Sequence, residues 1–217
     1  MQTNTKKLTT SALLCALAYI VMLLSKLIPQ VAGFLQLDLK DVVIVTGGFI
    51  LGPLYALIIS AVVSFIELLT VSSTGPIGLI MNIVSTAAFC CSASFIYNKK
   101  RNFASAVLSL IISTLILTLV MLLWNYYITP LYMKVPRDVV ASMLLPVFLP
   151  FNLVKGFINT GLTLILYRPL VRALSKTGLI TSRTLNNSNK HNSPSLTIGI
   201  VIVSVCIPFL LHLMGII

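Results

Sequence analysis

Long runs of apolar residues are the feature that most constrains how this chain can fold. Such runs occupy residues 8–28, 42–66, 77–97, 103–128, 139–167 and 196–217. Most are close to the about 20 residues that a helix needs to cross about 30 Å of hydrocarbon. Only 9% of the residues are charged, whereas a soluble domain has about 25%. The sequence therefore predicts an all-α integral membrane protein.

The second run contains Gly52-Pro53 near its middle. Proline lacks a backbone donor and clashes with the preceding turn, so a break is expected there. If the run is split and the N-terminus is cytoplasmic, ten Lys and Arg residues lie inside and three outside; an unsplit run gives at best nine against four. The ten are Lys6, Lys7, Lys99, Lys100, Arg101, Arg168, Arg172, Lys176, Arg183 and Lys190. We therefore expect a six-helix transmembrane bundle in residues 1–176.

The C-terminal part has a different composition. Residues 177–195 are polar and rich in asparagine and serine, which predicts a linker. Residues 196–217 form another apolar run and are a candidate seventh transmembrane helix.

Charge and composition also exclude several classes of function. The net charge of +11 comes from basic residues at the ends of apolar runs, which indicates membrane topology and not nucleic-acid binding. The acids Asp38, Asp41, Glu67 and Asp138 are too few for a hard-metal cage or hydrolytic chemistry, and no metal site is predicted. A phosphate-binding GxxxxGK[ST] loop is absent. The four cysteines form no CxxC pair and are typical of small core residues.

Lys155 is the most informative polar residue. It lies within a long apolar run, where an unsatisfied lysine costs a few kcal/mol. Asn152, Lys155 and Asn159 are spaced i, i+3, i+7, so they share one helix face. This stripe either faces a ligand cavity or packs internally, with Glu67 as the ionic partner of Lys155.

Three residues near the stripe are expected to shape the backbone. Pro146 and Pro150 precede it and predict a bent or unwound start of the helix. Gly156 lies beside Lys155 and permits another group to approach closely.

Two further polar residues lie near the outer ends of their predicted helices. Glu67 has three interpretations: it faces water, pairs with Lys155, or binds a ligand hydroxyl. Asn125 lies among Trp124, Tyr126 and Tyr127, aromatic residues that are typical of a membrane interface. Its amide is the better ligand candidate, because it offers two donors and an acceptor.

Five stretches, taken in order, resemble a known family. They are residues 34–41, residues 47–49 with 52–54, residues 73–78, residues 124–127 and residues 149–156. Together they resemble the riboflavin-binding substrate-capture subunits (S components) of energy-coupling factor (ECF) transporters, over roughly residues 8–175. The C-terminal tail departs from the family, whose members usually end after six helices.

The resemblance implies a non-enzymatic subunit of a vitamin uptake transporter in a bacterial cell membrane. Such subunits hold a vitamin near the outer face, and they dock onto a transmembrane coupling subunit that carries two cytoplasmic ATPases. Riboflavin would be the transported ligand, and no cofactor is expected. The alternatives are FMN or another vitamin as ligand, a structural membrane subunit, or an intramembrane enzyme, which would need paired acids or a His/Asp cluster.

The resemblance also assigns roles to residues. Asn125, Asn152 and Lys155 would contact the isoalloxazine ring, and residues 29–40 would gate the pocket. Ala12 and Ala16 on the first helix match the AxxxA pattern of the surface that docks onto the coupling subunit. The remaining ligand-binding candidates are Leu37, Asp38, Glu67, Thr74, Gly75, Asn82 and Asn159.

Overall fold

The computed structural model describes residues 4–71, 74–177 and 194–215, and its named elements are all helical. Ser72, Ser73 and most of the predicted linker (178–193) lie outside the described residues. The helices are α1 (Asn4–Ser25), α2 (Lys40–Leu51), α3 (Pro53–Thr70), α4 (Gly75–Thr86), α5 (Ser92–Lys100), α6 (Phe103–Tyr127), α7 (Thr129–Met133), α8 (Arg137–Met143), α9 (Leu149–Lys176) and α10 (Pro194–Leu213).

Within the part of the chain that the structure describes, six helical segments are long and apolar enough to cross a membrane. They are Asn4–Ser25, Pro53–Thr70, Gly75–Lys100, Phe103–Tyr127, Arg137–Lys176 and Ser195–Leu213. The remaining bundle helix, α2, has 12 residues. It is therefore about 18 Å long, well short of a full span. The predicted all-α membrane fold, with a six-helix bundle and a C-terminal helix, is confirmed.

The predicted break between α2 and α3 is present. Gly52 has φ of 110°, a left-handed conformation that suits glycine, and Pro53 then begins α3. Proline is favoured at this position because the first helical N–H has no intrahelical partner. The short α2 is buried from Lys40 to Phe49, and it packs against α1, α3, α5 and α9.

Two π turns widen otherwise continuous helices. Ala87–Cys91 joins α4 to α5, and Leu144–Phe148 joins α8 to α9. The second contains Pro146, which cannot donate a backbone hydrogen bond. The prolines predict a bent or unwound chain here, and the structure forms a π turn instead. Such turns are frequent at functional sites.

The C-terminal helix packs directly against α9 at a pair of glycines. A Cβ added to Gly199 would lie 2.7 Å from the carbonyl oxygen of Gly161, and one added to Gly161 would lie 2.9 Å from the carbonyl oxygen of Gly199. The backbones of the two helices therefore approach as closely as small residues allow. The division into residues 1–176, 177–195 and 196–217 stays a prediction.

Replacing Gly199 by Ala tests this crossing. Alanine favours an isolated helix by about 1 kcal/mol over glycine, so propensity alone would stabilise the protein. The new methyl group would instead collide with the backbone of α9, and we expect a lower melting temperature in detergent. Ser204→Ala, at an exposed position of α10, is the control. A Gly199→Ala variant at least as stable as the parent would contradict the close crossing.

Candidate functional site

A cavity of about 390 Å³ opens at one end of the bundle, where α1, α3 and α6 end and α2, α4 and α9 begin. We call this the cavity end. Its volume lies within the range of sites for drug-sized ligands. The polar and charged lining residues are Ser25, Lys26, Gln30, Gln36, Asp38, Glu67, Thr74, Asn82, Ser85, Asn125, Thr129, Asn152 and Lys155.

The loop between α1 and α2, residues 26–39, forms one wall of the cavity. Val31 and Leu35 exchange two backbone hydrogen bonds across a tight turn. Ala32 and Gly33 both have positive φ there, as a type I′ turn requires. The Gln36 side chain then donates to the carbonyl oxygens of Ser25 and Ile28 at 2.9 and 3.1 Å. These bonds tie the loop to the end of α1.

Apolar contacts hold the same loop on its other side. Val31 and Leu37 are buried in a cluster with residues of α9, and Leu210 of α10 belongs to that cluster. The ring of Phe34 meets Phe148 of the π turn edge to face, with centroids 5.8 Å apart. The loop is therefore held by α1 on one side and by α9 and α10 on the other.

Glu67 lies at the centre of a buried ionic network. It is 3% exposed. Its Oε2 atom accepts from Lys40 Nζ at 2.8 Å and from Asn82 Nδ2 at 3.0 Å, and its Oε1 atom is 2.9 Å from Lys26 Nζ. The interpretation that Glu67 faces water is wrong, and so is its pairing with Lys155. Lys26 at the start of the α1–α2 loop and Lys40 directly after it are the partners of Glu67, because the loop folds over the end of α3.

Lys40 is fully buried. Its Nζ atom is also 2.7 Å from Asp38 Oδ2. Burial alone would raise the pKa of Asp38, but the ammonium groups of Lys40 and Lys155 outweigh it and hold that pKa below its ordinary value. The sequence does contain a signal for this burial. Asp38, Lys40 and Asp41 place three charges within four residues, at the start of a helix too short to span the membrane.

Lys155 lines the cavity, as the first of its two interpretations predicts. The second interpretation named Glu67 as its ionic partner, but the carboxylate near Lys155 is that of Asp41. The Lys155 Nζ atom donates to Ser85 Oγ at 3.2 Å and lies 4.0 Å from Asp41 Oδ2. Asn152, one turn earlier on α9, also lines the cavity. Asn159 does not; it is fully buried deeper in the bundle and donates to the carbonyl oxygen of Asp38 at 3.2 Å.

The two cavity asparagines are held by their own helices. Asn152 Nδ2 donates to the carbonyl oxygen of Phe148 at 2.8 Å, and Asn125 Nδ2 donates to that of Met121 at 2.7 Å. Asn125 Oδ1 also accepts from Thr129. An amide nitrogen has two N–H donors, so each side chain is oriented and keeps one donor.

Eight of the ten residues predicted to bind ligand line the cavity. They are Leu37, Asp38, Glu67, Thr74, Asn82, Asn125, Asn152 and Lys155. Asn159 and Gly75 are not among the lining residues; Gly75 has φ of +61° and starts α4. Ligand contact by the eight stays a prediction.

Gly156 does permit a close approach, but the group that approaches belongs to the protein. A Cβ added to Gly156 would lie 2.5 Å from the methyl carbon of Thr114 on α6. The glycine therefore lets α6 and α9 pack tightly behind the cavity wall, and it leaves no room there for a ligand.

Sequence reasoning missed much of the apolar lining. Met22, Met81, Met121 and Met133 line the cavity together with Phe34, Phe151 and Tyr132. In the sequence these residues are indistinguishable from core or lipid-facing positions. Flexible thioether side chains adapt to the shape of an apolar ligand.

Comparison with known proteins identifies the family. The family model described as "ECF transporter, substrate-specific component" matches residues 6–167. This chain belongs to that family. It is the substrate-binding subunit of an ECF-type vitamin transporter, and a multi-pass membrane protein.

Two curated relatives and one solved structure are similar over most of the chain. Riboflavin transporter RibU of Staphylococcus aureus (strain TCH60) is 31% identical over 182 residues, which cover 81% of this chain and 95% of the relative. RibU of Streptococcus thermophilus (strain ATCC BAA-250 / LMG 18311) is 29% identical, covering 80% and 87%. A solved S component of a bacterial ECF transporter superposes with a TM-score of 0.67 at 31% identity, covering 79% of this chain and 99% of that one.

The network around Glu67 predicts that Lys40 is needed for stability. Lys40→Met would leave Asp38 without its close cation and weaken the compensation of Glu67, and breaking a buried ion pair costs about 3–5 kcal/mol. We expect a clearly lower melting temperature in detergent. Lys100→Met, at an exposed position, is the control and should leave the melting temperature unchanged. Equal melting temperatures for both variants would show that the network adds nothing to stability.

Proposed function

We propose that this S component binds riboflavin in the cavity of about 390 Å³ and delivers it across the membrane within an ECF complex. The observation that carries the proposal is a cavity that combines oriented amide and ammonium donors with a flexible apolar lining. Two relatives named as riboflavin transporters support the choice of vitamin.

The donors suit the ring system of a flavin. The pyrimidine edge of isoalloxazine presents carbonyl acceptors and an imide donor. Asn125, Asn152 and Lys155 can supply matching hydrogen bonds, while the methionines contact the faces of the ring. A site that hydrogen-bonds its ligand in this way also rejects analogues that lack those groups.

Charge balance favours an uncharged vitamin. The charge cluster, which we define as Lys26, Asp38, Lys40, Asp41, Glu67 and Lys155, contains three cations and three anions. Lys26 is its exposed member, and Asp38 is half-buried. The cations already have carboxylate partners, so a phosphate would have to compete for them. We therefore propose riboflavin as the ligand in preference to FMN.

The distribution of basic residues supports a cytoplasmic N-terminus. Lys6 and Lys7 start α1, Lys99 and Lys100 end α5, and Lys176 ends α9, so these charges lie at the end opposite the cavity. Cytoplasmic loops carry an excess of Lys and Arg. The cavity would then open to the outside, from which a vitamin has to be captured.

We propose that Ala12 and Ala16 form the surface that docks onto the transmembrane coupling subunit. Two ATPase subunits bound to that coupling subunit would drive transport. Both alanines are exposed and lie on one outward face of α1 with Leu8 and Ile20. Small residues at this spacing allow another helix to approach closely.

Riboflavin fluorescence measured on the purified, detergent-solubilised protein tests the ligand. We expect saturable quenching at submicromolar riboflavin, and weaker binding by Asn152→Ala and Lys155→Met because each removes a donor from the cavity. FMN is expected to bind more weakly than riboflavin.

The matched controls are Asn98→Ala and Lys100→Met, which change the same residue types at the opposite end of the bundle. They are expected to bind like the parent protein. No quenching by a folded sample would reject riboflavin as the ligand, and tighter binding of FMN would reject the argument from charge balance.

The docking surface is tested separately with Ala12→Leu combined with Ala16→Leu. The added bulk is expected to block close helix contact, so riboflavin uptake by cells is lost while the purified subunit keeps its riboflavin affinity. Ser204→Leu adds similar bulk at an exposed position of α10 and should leave uptake intact. Normal uptake by the α1 variant would place docking elsewhere.

A further inference from the structure

Lys40 and Lys155 lie in the same charge cluster but use their ammonium groups differently. Lys40 makes two short ionic contacts, of 2.7 Å to Asp38 and 2.8 Å to Glu67. Lys155 lies 4.0 Å from Asp41 Oδ2, beyond the about 2.7–2.9 Å of a direct charge-assisted hydrogen bond. It donates instead to Ser85 Oγ. An ammonium has three donors, so Lys155 keeps capacity for a ligand in the cavity it lines.

Asp41 supplies the other half of this arrangement. It is fully buried in the first turn of α2 and is not among the cavity-lining residues. Its Oδ1 atom accepts from Thr86 Oγ1 at 2.8 Å, whereas its Oδ2 atom has no hydrogen-bond partner among the described residues. A buried carboxylate without compensation is costly. The cation within 4.0 Å of that unpartnered oxygen is Lys155.

We propose that Asp41 is a positioning residue for ligand recognition: it holds the Lys155 ammonium charged at the cavity wall without occupying its donors. These donors then remain for the carbonyl oxygens of the flavin. Asp41 acts through Lys155 and does not touch the ligand itself. This inference rests on the proposed function and deepens it.

Other titratable groups around Lys155 do not replace Asp41. Asp38, in the α1–α2 loop, interacts with Lys155 but makes its short contact with Lys40. Cys90, in the first π turn, is also near, and its thiol donates to the backbone carbonyl of Asp41 at 3.4 Å. Among the described residues, Asp41 is therefore the carboxylate that lies within 4.0 Å of Lys155 and has no shorter ionic contact.

Asp41→Asn tests the proposal, because it removes the charge and preserves the shape. Riboflavin affinity of the full chain is measured at several values between pH 6 and pH 8.5. A buried ammonium without its counter-charge releases its proton more readily, so we expect affinity at least about tenfold weaker than the parent at pH 8.5 and recovering toward pH 6. The parent is expected to bind equally across this range. An unchanged affinity, or a loss that is the same at every pH, overturns the proposal.

Rescue by arginine separates positioning from a structural role. A guanidinium keeps its proton throughout this range. In a Lys155→Arg background, Asp41→Asn is therefore expected to produce no pH dependence, and pH dependence that persists there overturns the proposal. Thr86→Val, which removes a hydrogen bond to Asp41 but keeps its charge, is the matched control and is expected to bind independently of pH.

A second measurement decides the question if Asp41→Asn yields no folded protein. The parent and Lys155→Arg are then compared over the same pH range, and both are expected to show flat profiles. A parent affinity that falls toward pH 8.5 while the arginine variant stays flat overturns the proposal. Failure of the parent to bind riboflavin at any pH would instead reject the proposed function.

Discussion

An ionised side chain in the interior of a membrane protein costs several kcal/mol unless it is paired, so the charges at the cavity end must neutralise one another. Pairing them brings four parts of the chain together. Lys26 and Asp38 come from the α1–α2 loop, Lys40 begins α2, Glu67 lies near the end of α3, and Lys155 lies on α9. The charges of the loop reach partners on α2 and α3, and these contacts hold the loop in place as a wall of the cavity.

The need to neutralise buried charges gives Lys40 and Lys155 different roles. Lys40 has short contacts on both sides, and without it Asp38 would lose its close cation and Glu67 would keep only Lys26. Lys155 is balanced at a longer distance and keeps donors that face the cavity. A neutral cluster that still presents a charged donor suits a ligand with carbonyl acceptors and no net charge. The asparagines add directional donors because backbone carbonyls fix their orientation.

Features set by local sequence could be predicted, and features set by tertiary pairing could not. The Gly52-Pro53 break follows from backbone geometry that two adjacent residues dictate, and the structure has it. The i, i+3 spacing places Asn152 and Lys155 on one face, and both line the cavity. The partners of Glu67 depend on how the α1–α2 loop folds back over α3, which no local pattern encodes. Asn159 shows the same limit, because helix spacing gives its face but not its depth.

The C-terminal helix lies outside the part of the chain that the family model matches, and it also depends on tertiary contacts. Helix α10 lies after residue 167, and its close crossing at Gly161 and Gly199 fixes it to the helix that carries Lys155. Leu210 then joins the apolar cluster that holds Val31 and Leu37 of the loop. Among the described residues, α10 contributes none to the cavity lining. Its contacts therefore add apolar support to the wall of the cavity without changing the groups that select the ligand.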